Sequence, residues 1–591
     1  MTLTRTELLP ESHLPETADL IERGRAHAKE WKVEPGPFLK ESGFASESDF
    51  KRFAASQGRI MQHAQMGFRD QEKSRRTWAE VYETCAERGV TVDRYGITLD
   101  WSMGQERAKR ESAQRGTGLI LEDVEDFAAL TRQAPVAPHF GDFVLGFPAA
   151  LENTQAALAA GSTSIGNLGQ YFTFRLPGDD DDLRATEATV MALSLIAAQD
   201  VEILVHSNLD DGYAAVFTDL ASCLGAVLLE RYIVEDLLGA CVSHCYGHHF
   251  TDPLRRLAFQ LALAQVSDTP GTMIYGNTVA YKGTPAENFA SLASYLTADI
   301  LGQKHCATGH AINPVPVTEN QRIPDIDEII DAQLFAGRMA EHAEDYGGLV
   351  EFEPANELAK EIVHGAQSFK NNVLTGLAEA GIDTHDAVEL LLTLRRLEGK
   401  RLEELFGAGR EDETALRGRR PVVQSSLVEE LEEMAEDHLA EVAPMDRERL
   451  QDTHHTVLAA TTDVHEHGKL LLEYALNRLG VTVLDGGVST DADKLAAKAA
   501  ETGADCIAVS TFNGIALAYV RQLKSALSDL GISVPILVGG RLNQIPEGSN
   551  TSLPVDVSEE LVNEGVTVCR ALEDVVPALL ALEKESGRQV S

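Results

Sequence analysis

From about residue 81 the chain alternates short apolar stretches with longer segments whose apolar positions recur every three to four residues. The first pattern marks a strand and the second an amphipathic helix. Val90–Asp100, Phe140–Pro148, Ser164–Asn167, Glu202–Ser207, Ala240–His244, Thr272–Asn277 and Ala307–His310 read as strands with their exits. Glu152–Ala160, Leu183–Asp200, Leu220–Leu238, Pro253–Val266 and Asn288–Gly302 read as the helices between them. Strand–helix units repeated over about 250 residues predict an α/β fold whose N-terminal part is a (β/α)8 TIM-like barrel.

The pattern divides the chain into four. Residues 1–80 are polar and helical in period, an N-terminal helical extension interrupted by Pro35-Gly36-Pro37. Residues 81–370 form the barrel. Residues 371–450 read as a helical segment and linker, with a polar loop at Gly407–Pro421 and an acidic run, Glu429–Asp437, taken as a solvated helix face. Residues 451–591 alternate again: Thr456–Ala460 as a strand, Lys469–Leu479 as a helix, then strands ending at Thr511 and Gly540. This is the pattern of a doubly wound, flavodoxin-like (Rossmann-like) domain.

Composition narrows the function classes. A length of 591 residues requires more than one domain. No apolar run of about 18 residues exists, so no transmembrane helix is expected. The first residues carry no apolar core of a secretory signal. Seven scattered cysteines fit a reducing cytoplasm. A net charge of -41 repels phosphate backbones, which argues against nucleic acid as a partner.

Barrel active sites gather at the carboxyl ends of the strands. There the reading places Arg175, His244, Asn277 and His310, a set suited to a small polar substrate with a carboxylate. A guanidinium at Arg175 is able to grip such a carboxylate through two parallel hydrogen bonds. His244-Cys245-x-x-His248-His249 does not have the spacing of a common zinc motif.

The second domain carries the sharper signal. Asp463-Val464-His465-Glu466-His467-Gly468 reads D-x-H-x-x-G between a strand and a helix. The strand Ile507–Val509 ends in Ser510-Thr511-Phe512-Asn513-Gly514, and Ile536–Val538 ends in Gly539-Gly540. Together these resemble the base-off/His-on cobalamin-binding domain, with Phe512 where leucine is usual. The resemblance implies His465 as the lower ligand to cobalt, the metal residue, and Asp463 as the partner of its other ring nitrogen. It implies Gly468 opening a channel for the nucleotide tail and Ser510 bonding the displaced base. Phe512 and Gly514 would complete that strand exit, and Gly539 and Gly540 would pack the tail against backbone.

A barrel and such a domain in one chain resemble the adenosylcobalamin-dependent carbon-skeleton mutases of the glutamate mutase and 2-methyleneglutarate mutase type. Val481–Ser489 and Ser510–Gly514 carry the likeness most closely. The barrel adds Gly146-Phe147-Pro148 followed by a helix. The resemblance implies an isomerase acting through a radical on a small carboxylic acid, with adenosylcobalamin (cobalt) as cofactor and a homo-oligomeric assembly. The glutamate enzyme holds its diacid with several arginines. Here Gln170 and Arg175 stand near one such region, so the acid stays open. Two alternatives share the cobalamin motifs: a corrinoid-dependent methyltransferase and a non-catalytic cobalamin-binding sensor. The first usually carries a compact helical cap before the cobalamin domain, where residues 422–450 offer two helices. The second needs no polar strand exits.

Overall fold

Short strands followed by capped helices build the first four hundred residues. The computed structural model describes residues 3–586 except 117, 180, 211, 249, 414, 463–466, 513 and 545–554. The order is α1 (Glu47–Ser56), β1 (His63–Met66), α2 (Gln71–Glu87), β2 (Arg94–Ile97), α3 (Val124–Thr131), β3 (Ala137–Phe140), α4 (Ala150–Ala159) and β4 (Ser164–Ile165). It continues with α5 (Asp182–Ala197), β5 (Leu204–Ser207), α6 (Leu220–Arg231), β6 (Cys241–His244), α7 (Pro253–Val266), β7 (Met273–Ile274), α8 (Pro285–His305), β8 (Ala311–Ile312) and α9 (Ile326–Glu341). The helix starts are written into the sequence. Ser46, Asp70, Asp123, Asp181, Asp219, Asp252 and Thr284 each accept a hydrogen bond from a backbone N–H of the first turn. Such caps satisfy donors that the helix itself cannot.

Strands β1 to β6 form a parallel six-stranded sheet in sequence order, and β7 pairs with β8 in parallel. A parallel bridge between Tyr246 and Ile274 joins β6 to β7, and another between Gln62 and Ile312 joins β8 to β1. Each strand therefore has a parallel neighbour on both sides. The helices cover the outside: Tyr95 meets Trp78 of α2 edge to face at 4.9 Å, and Phe140 packs against Phe127 of α3 at 4.8 Å.

Two long helices, α10 (Glu353–Glu379) and α11 (Ala387–Phe406), pack onto this body. Phe369 of α10 lies where a Cβ on Gly225 of α6 would stand, 2.5 Å from its Cδ1. Glu403 of α11 accepts from the backbone N–H groups of Thr218 and Asp219 at 2.9 and 3.0 Å.

The chain divides into two compact units at Met1–Ser426 and Leu427–Ser591. The segment read as one helical linker thus splits, because α10 and α11 bury their apolar faces in the first unit. The stretch read as a mostly helical extension also contains β1. That strand reads His-Ala-Gln-Met, polar at alternate positions, and so shows no apolar signature.

The second unit begins in α12 (Ser426–Glu441) and runs through α13 (Pro444–Thr453), β9 (Thr456–Thr461), α14 (His467–Arg478), β10 (Thr482–Gly487), α15 (Ala492–Thr502) and β11 (Cys506–Thr511). It ends with α16 (Ala516–Asp529), β12 (Ile536–Gly540), α17 (Ser558–Asn563), β13 (Thr567–Cys569) and α18 (Val575–Ser586). Its five-stranded parallel sheet has the order β10-β9-β11-β12-β13. Leu458, Ile507 and Val538 pack on one face with Leu495, Val520 and Leu523. Val457, Ala508 and Leu537 pack on the other with Leu476 and Leu579. Among the described residues no helix is long and apolar enough to cross a membrane.

Candidate functional site

In the first unit the strand side turned away from the helices is polar. Arg94 donates to Glu47 Oε1 at 2.7 Å, His63 Nδ1 at 3.0 Å and Ser164 Oγ at 2.8 Å. Lys51, one turn after Glu47 on α1, donates to the carbonyls of Thr272 and Gly309 at 2.8 and 2.9 Å. Those carbonyls lie just before β7 and β8, so α1 sits at the amino ends of the strands. Burial, then the charge of Arg94, hold His63, His139 and His206 well below the ordinary histidine range. Burial also pulls the Lys51 ammonium down to about 8.

The carboxyl ends carry a different set. Gln65, after the middle of β1, donates to Thr98 Oγ1 at 3.0 Å beyond β2. Asp142 follows β3 and accepts from Gln170 Nε2 at 3.3 Å. Burial pushes the Asp142 carboxyl up to about 6, opposed by a hydrogen bond from Asn167. Asn167 also donates to Asn208 Oδ1 at 2.5 Å, linking the exits of β4 and β5. Phe143 holds φ at 57° while its N–H donates to Gln170 Oε1 at 2.8 Å. A bulky residue in the left-handed region costs of order 1–3 kcal/mol, and such positions cluster at functional sites. His248, after β6, shares a hydrogen bond with Thr278 Oγ1 at 3.2 Å.

Asn277 and Asn313, after β7 and β8, are 3% and 1% exposed. Asn277 Oδ1 and Asn313 Nδ2 have no hydrogen-bond partner among the described residues. A buried amide atom without a partner marks a place for a polar ligand or a water.

Of the four barrel residues singled out by sequence, His244 and His310 meet each other, and Arg175 and Asn277 lie elsewhere. Asn277 lies at the exit of β7. Arg175 donates to the backbone carbonyl of Arg395 on α11 at 3.1 Å, a helix-docking contact. His244 is the last residue of β6, and its Nδ1 lies 3.6 Å from Glu230 of α6. Ser207, the residue beside it on β5, donates to Glu230 at 2.8 Å, so both point toward the helices. His310 precedes β8 rather than following it, because that strand is Ala311–Ile312 and not the stretch before it. Its Nε2 donates to the His244 carbonyl at 3.1 Å, and its Nδ1 takes a hydrogen bond from Thr308 Oγ1 at 2.7 Å. Sequence reasoning missed Gln65, because β1 was not seen, and Asp142, whose only signal is Gly141-Asp142 at the end of an apolar run.

In the second unit Asp463 and His465 lie outside the described residues. The rest of the motif set converges on the carboxyl edge of the sheet. A Cβ built on Gly468 would stand 2.5 Å from Ser510 Oγ. One built on Gly540, whose φ is 85°, would stand 2.4 Å from the Thr511 carbonyl oxygen and 3.3 Å from Ser510 Oγ. Ser510 pairs with Gly539 and Thr511 with Gly540 in the ladder. Gly514 also has positive φ, 72°. Lys469 Nζ lies 2.8 Å from Asp485, tying the start of α14 to β10, and 3.0 Å from Glu473.

Gly468, Ser510 and Gly540 thus pack closely together at the carboxyl edge of the sheet. The carboxyl edge is where open α/β sheets bind ligands. Arg541 lies over the ring of Phe512 at 4.1 Å beside it. Among the described residues no group of three or more His, Cys, Asp or Glu is placed to hold a metal ion. No protein-family model matches the chain, and no curated protein matches it.

Proposed function

We propose that the chain is an adenosylcobalamin-dependent mutase that rearranges the carbon skeleton of a small carboxylic acid. The observation that carries this reading is the meeting of Gly468, the last residue of the D-x-H-x-x-G motif, with Ser510 and Gly540. Three sequence motifs far apart in the chain come to one edge of the sheet, which supports a shared ligand. The sheet order β10-β9-β11-β12-β13 supports a flavodoxin-like domain, whose switch point lies between β9 and β11. The sequential strands with bridges at both ends of the series support a (β/α)8 barrel.

In this reading His465 holds cobalt, with Asp463 on its other ring nitrogen fixing the tautomer. Gly468, Ser510, Gly539 and Gly540 receive the nucleotide tail. Bound adenosylcobalamin supplies radical chemistry that the side chains themselves lack. The chain's own task is to hold the acid and keep water away. Gln65, Thr98, Asn167, Asn208 and Asn313 offer amide and hydroxyl groups at the strand exits for that purpose. The Gln65–Thr98 and Asn167–Asn208 hydrogen bonds fix four of them in advance, which lowers the cost of orienting the substrate.

Anaerobic titration of the protein with adenosylcobalamin tests the proposal, followed by absorbance and electron paramagnetic resonance with a panel of small acids. Base-off binding and a paramagnetic signal that appears with one acid are expected. Binding without a signal from any acid overturns the mutase reading, and no binding overturns the cofactor.

A further inference from the structure

The polar interior of the first unit holds a chain of hydrogen bonds whose direction is fixed at one end. Arg94, the first residue of β2, carries donors and no acceptor. Its Nη1 lies 3.0 Å from His63 Nδ1, so Nδ1 accepts and the ring proton sits on Nε2. Burial and the charge of Arg94 keep that ring neutral, which leaves it one proton to give. His63 Nε2 lies 3.1 Å from Gln65 Oε1, which therefore accepts. The amide turns its nitrogen to the other side, where Nε2 donates to Thr98 Oγ1 at 3.0 Å. The Thr98 oxygen is an acceptor in that bond, and its own proton is left to donate. Among the described residues no acceptor takes it.

The chain of bonds runs from the amino end of the strands to their exits. Glu47 of α1 anchors it by accepting from Arg94 Nε at 2.7 Å. Arg94 and His63 are fully buried, whereas Thr98, just past β2, is half-buried. Tyr95 faces Trp78 of α2, so alternation turns Arg94, Gly96 and Thr98 to the interior. A second observation lies on the other flank of β1. Ile312 of β8 packs with Tyr281 and Tyr295 on the helix side, which turns the following Asn313 inward. Its buried Nδ2 also has no acceptor among the described residues. Two donors in want of an acceptor thus stand at the exits of β2 and β8, on either side of β1.

We propose that the Thr98 hydroxyl donates to a carboxylate oxygen of the bound acid, and that Arg94, His63 and Gln65 are positioning residues that hold it as a donor. The inference rests on the acid reading above and names the group that meets the acid's charge where Arg175 does not. An ionised oxygen suits a hydroxyl fixed as a donor, because hydrogen bonds to charged acceptors are the stronger ones.

Two measurements test it. Nitrogen-15 NMR of the full chain labelled at histidine should show His63 as the neutral ring protonated at Nε2, assigned by the resonances lost in His63→Gln. A ring protonated at Nδ1, or a charged ring, overturns the relay and the proposal with it. Calorimetric titration with glutarate, succinate and propionate, without cofactor, reads the acid. The wild-type chain should bind at least one of the three. Thr98→Val should weaken that binding by about tenfold or more, the size of a hydrogen bond to a charged group, with circular dichroism unchanged. Thr98→Ser restores the hydroxyl and should keep most of the affinity. Wild-type affinity in Thr98→Val, an equal loss in Thr98→Ser, or no binding of any of the acids by the wild type overturns the assignment. Acid binding that depends on Thr98, with no paramagnetic signal once adenosylcobalamin is added, overturns the mutase reading alone.

Discussion

Gly468 stands against Ser510 so closely that a methyl group on its Cα would lie 2.5 Å from the Ser510 hydroxyl. The start of α14 and the end of β11 are thereby so close that a Cβ at position 468 would displace the Ser510 hydroxyl from its present position. Gly468→Ala should cost roughly 1–3 kcal/mol, the range for overpacking a tight site. Urea unfolding of the full chain measures it. The penalty should shrink in a Ser510→Gly background, where the clashing hydroxyl is absent. An equal penalty in both backgrounds would show that the contact is not what makes the glycine necessary.

His465→Gly addresses the cofactor assignment directly. The substitution should weaken adenosylcobalamin binding by tenfold or more, about 1.4 kcal/mol, with the far-ultraviolet circular dichroism unchanged. Spectroscopic titration reads the affinity. Unaltered affinity with an unaltered absorbance spectrum of the bound form would remove His465 as the cobalt ligand.

Glu47 is the counter-charge for two buried cations. It is 1% exposed, accepts from Arg94 at 2.7 Å and lies 3.7 Å from Lys51. Glu47→Leu leaves those cations unpaired, and breaking a buried pair in this way costs roughly 3–5 kcal/mol. Disrupting the exposed pair Arg338–Glu341 should cost at most about 1 kcal/mol. Denaturant midpoints of Glu47→Leu and Glu341→Leu compare the two, and similar losses would contradict the network's role in sealing the amino ends of the strands.

Glu230 supplies a pH dependence. Burial raises its carboxyl to about 8, with the Ser207 hydrogen bond opposing the shift. An unfolded glutamate titrates near ~4.3. Between these values the folded chain binds more protons than the unfolded chain, so stability falls as pH rises through that window. The contribution is fully present below the unfolded value and lost above the folded one. Glu230→Gln keeps the shape without the titration. Between pH 5 and pH 9 the wild type should lose more stability than Glu230→Gln in urea titrations, and parallel profiles would refute the assignment.

Periodicity and end signals determined much of the first unit from sequence alone. The Asp, Ser and Thr caps and the apolar faces of helices such as Pro253–Val266 are local properties, fixed within one or two turns. The same holds for Ile536–Gly540, an apolar run closed by glycines. The convergence of Gly468, Ser510 and Gly540 was legible only as a resemblance, since residues 72 positions apart meet through strand order.

Only the tertiary structure decided which side each short strand presents. A strand of two residues such as Ala311–Ile312 has too few positions to show a period, so its register comes from its neighbours. That register sends His244 toward Glu230, places His310 ahead of β8 and leaves Asn313 at the exit. Arg175 likewise reads as a carboxylate ligand in isolation but finds the Arg395 carbonyl, because α11 folds back more than two hundred residues later. The strand His63–Met66 was hidden for the complementary reason. Its alternate side chains face Arg94 and Thr98 rather than an apolar core, and a polar interior leaves no hydrophobic trace in the chain.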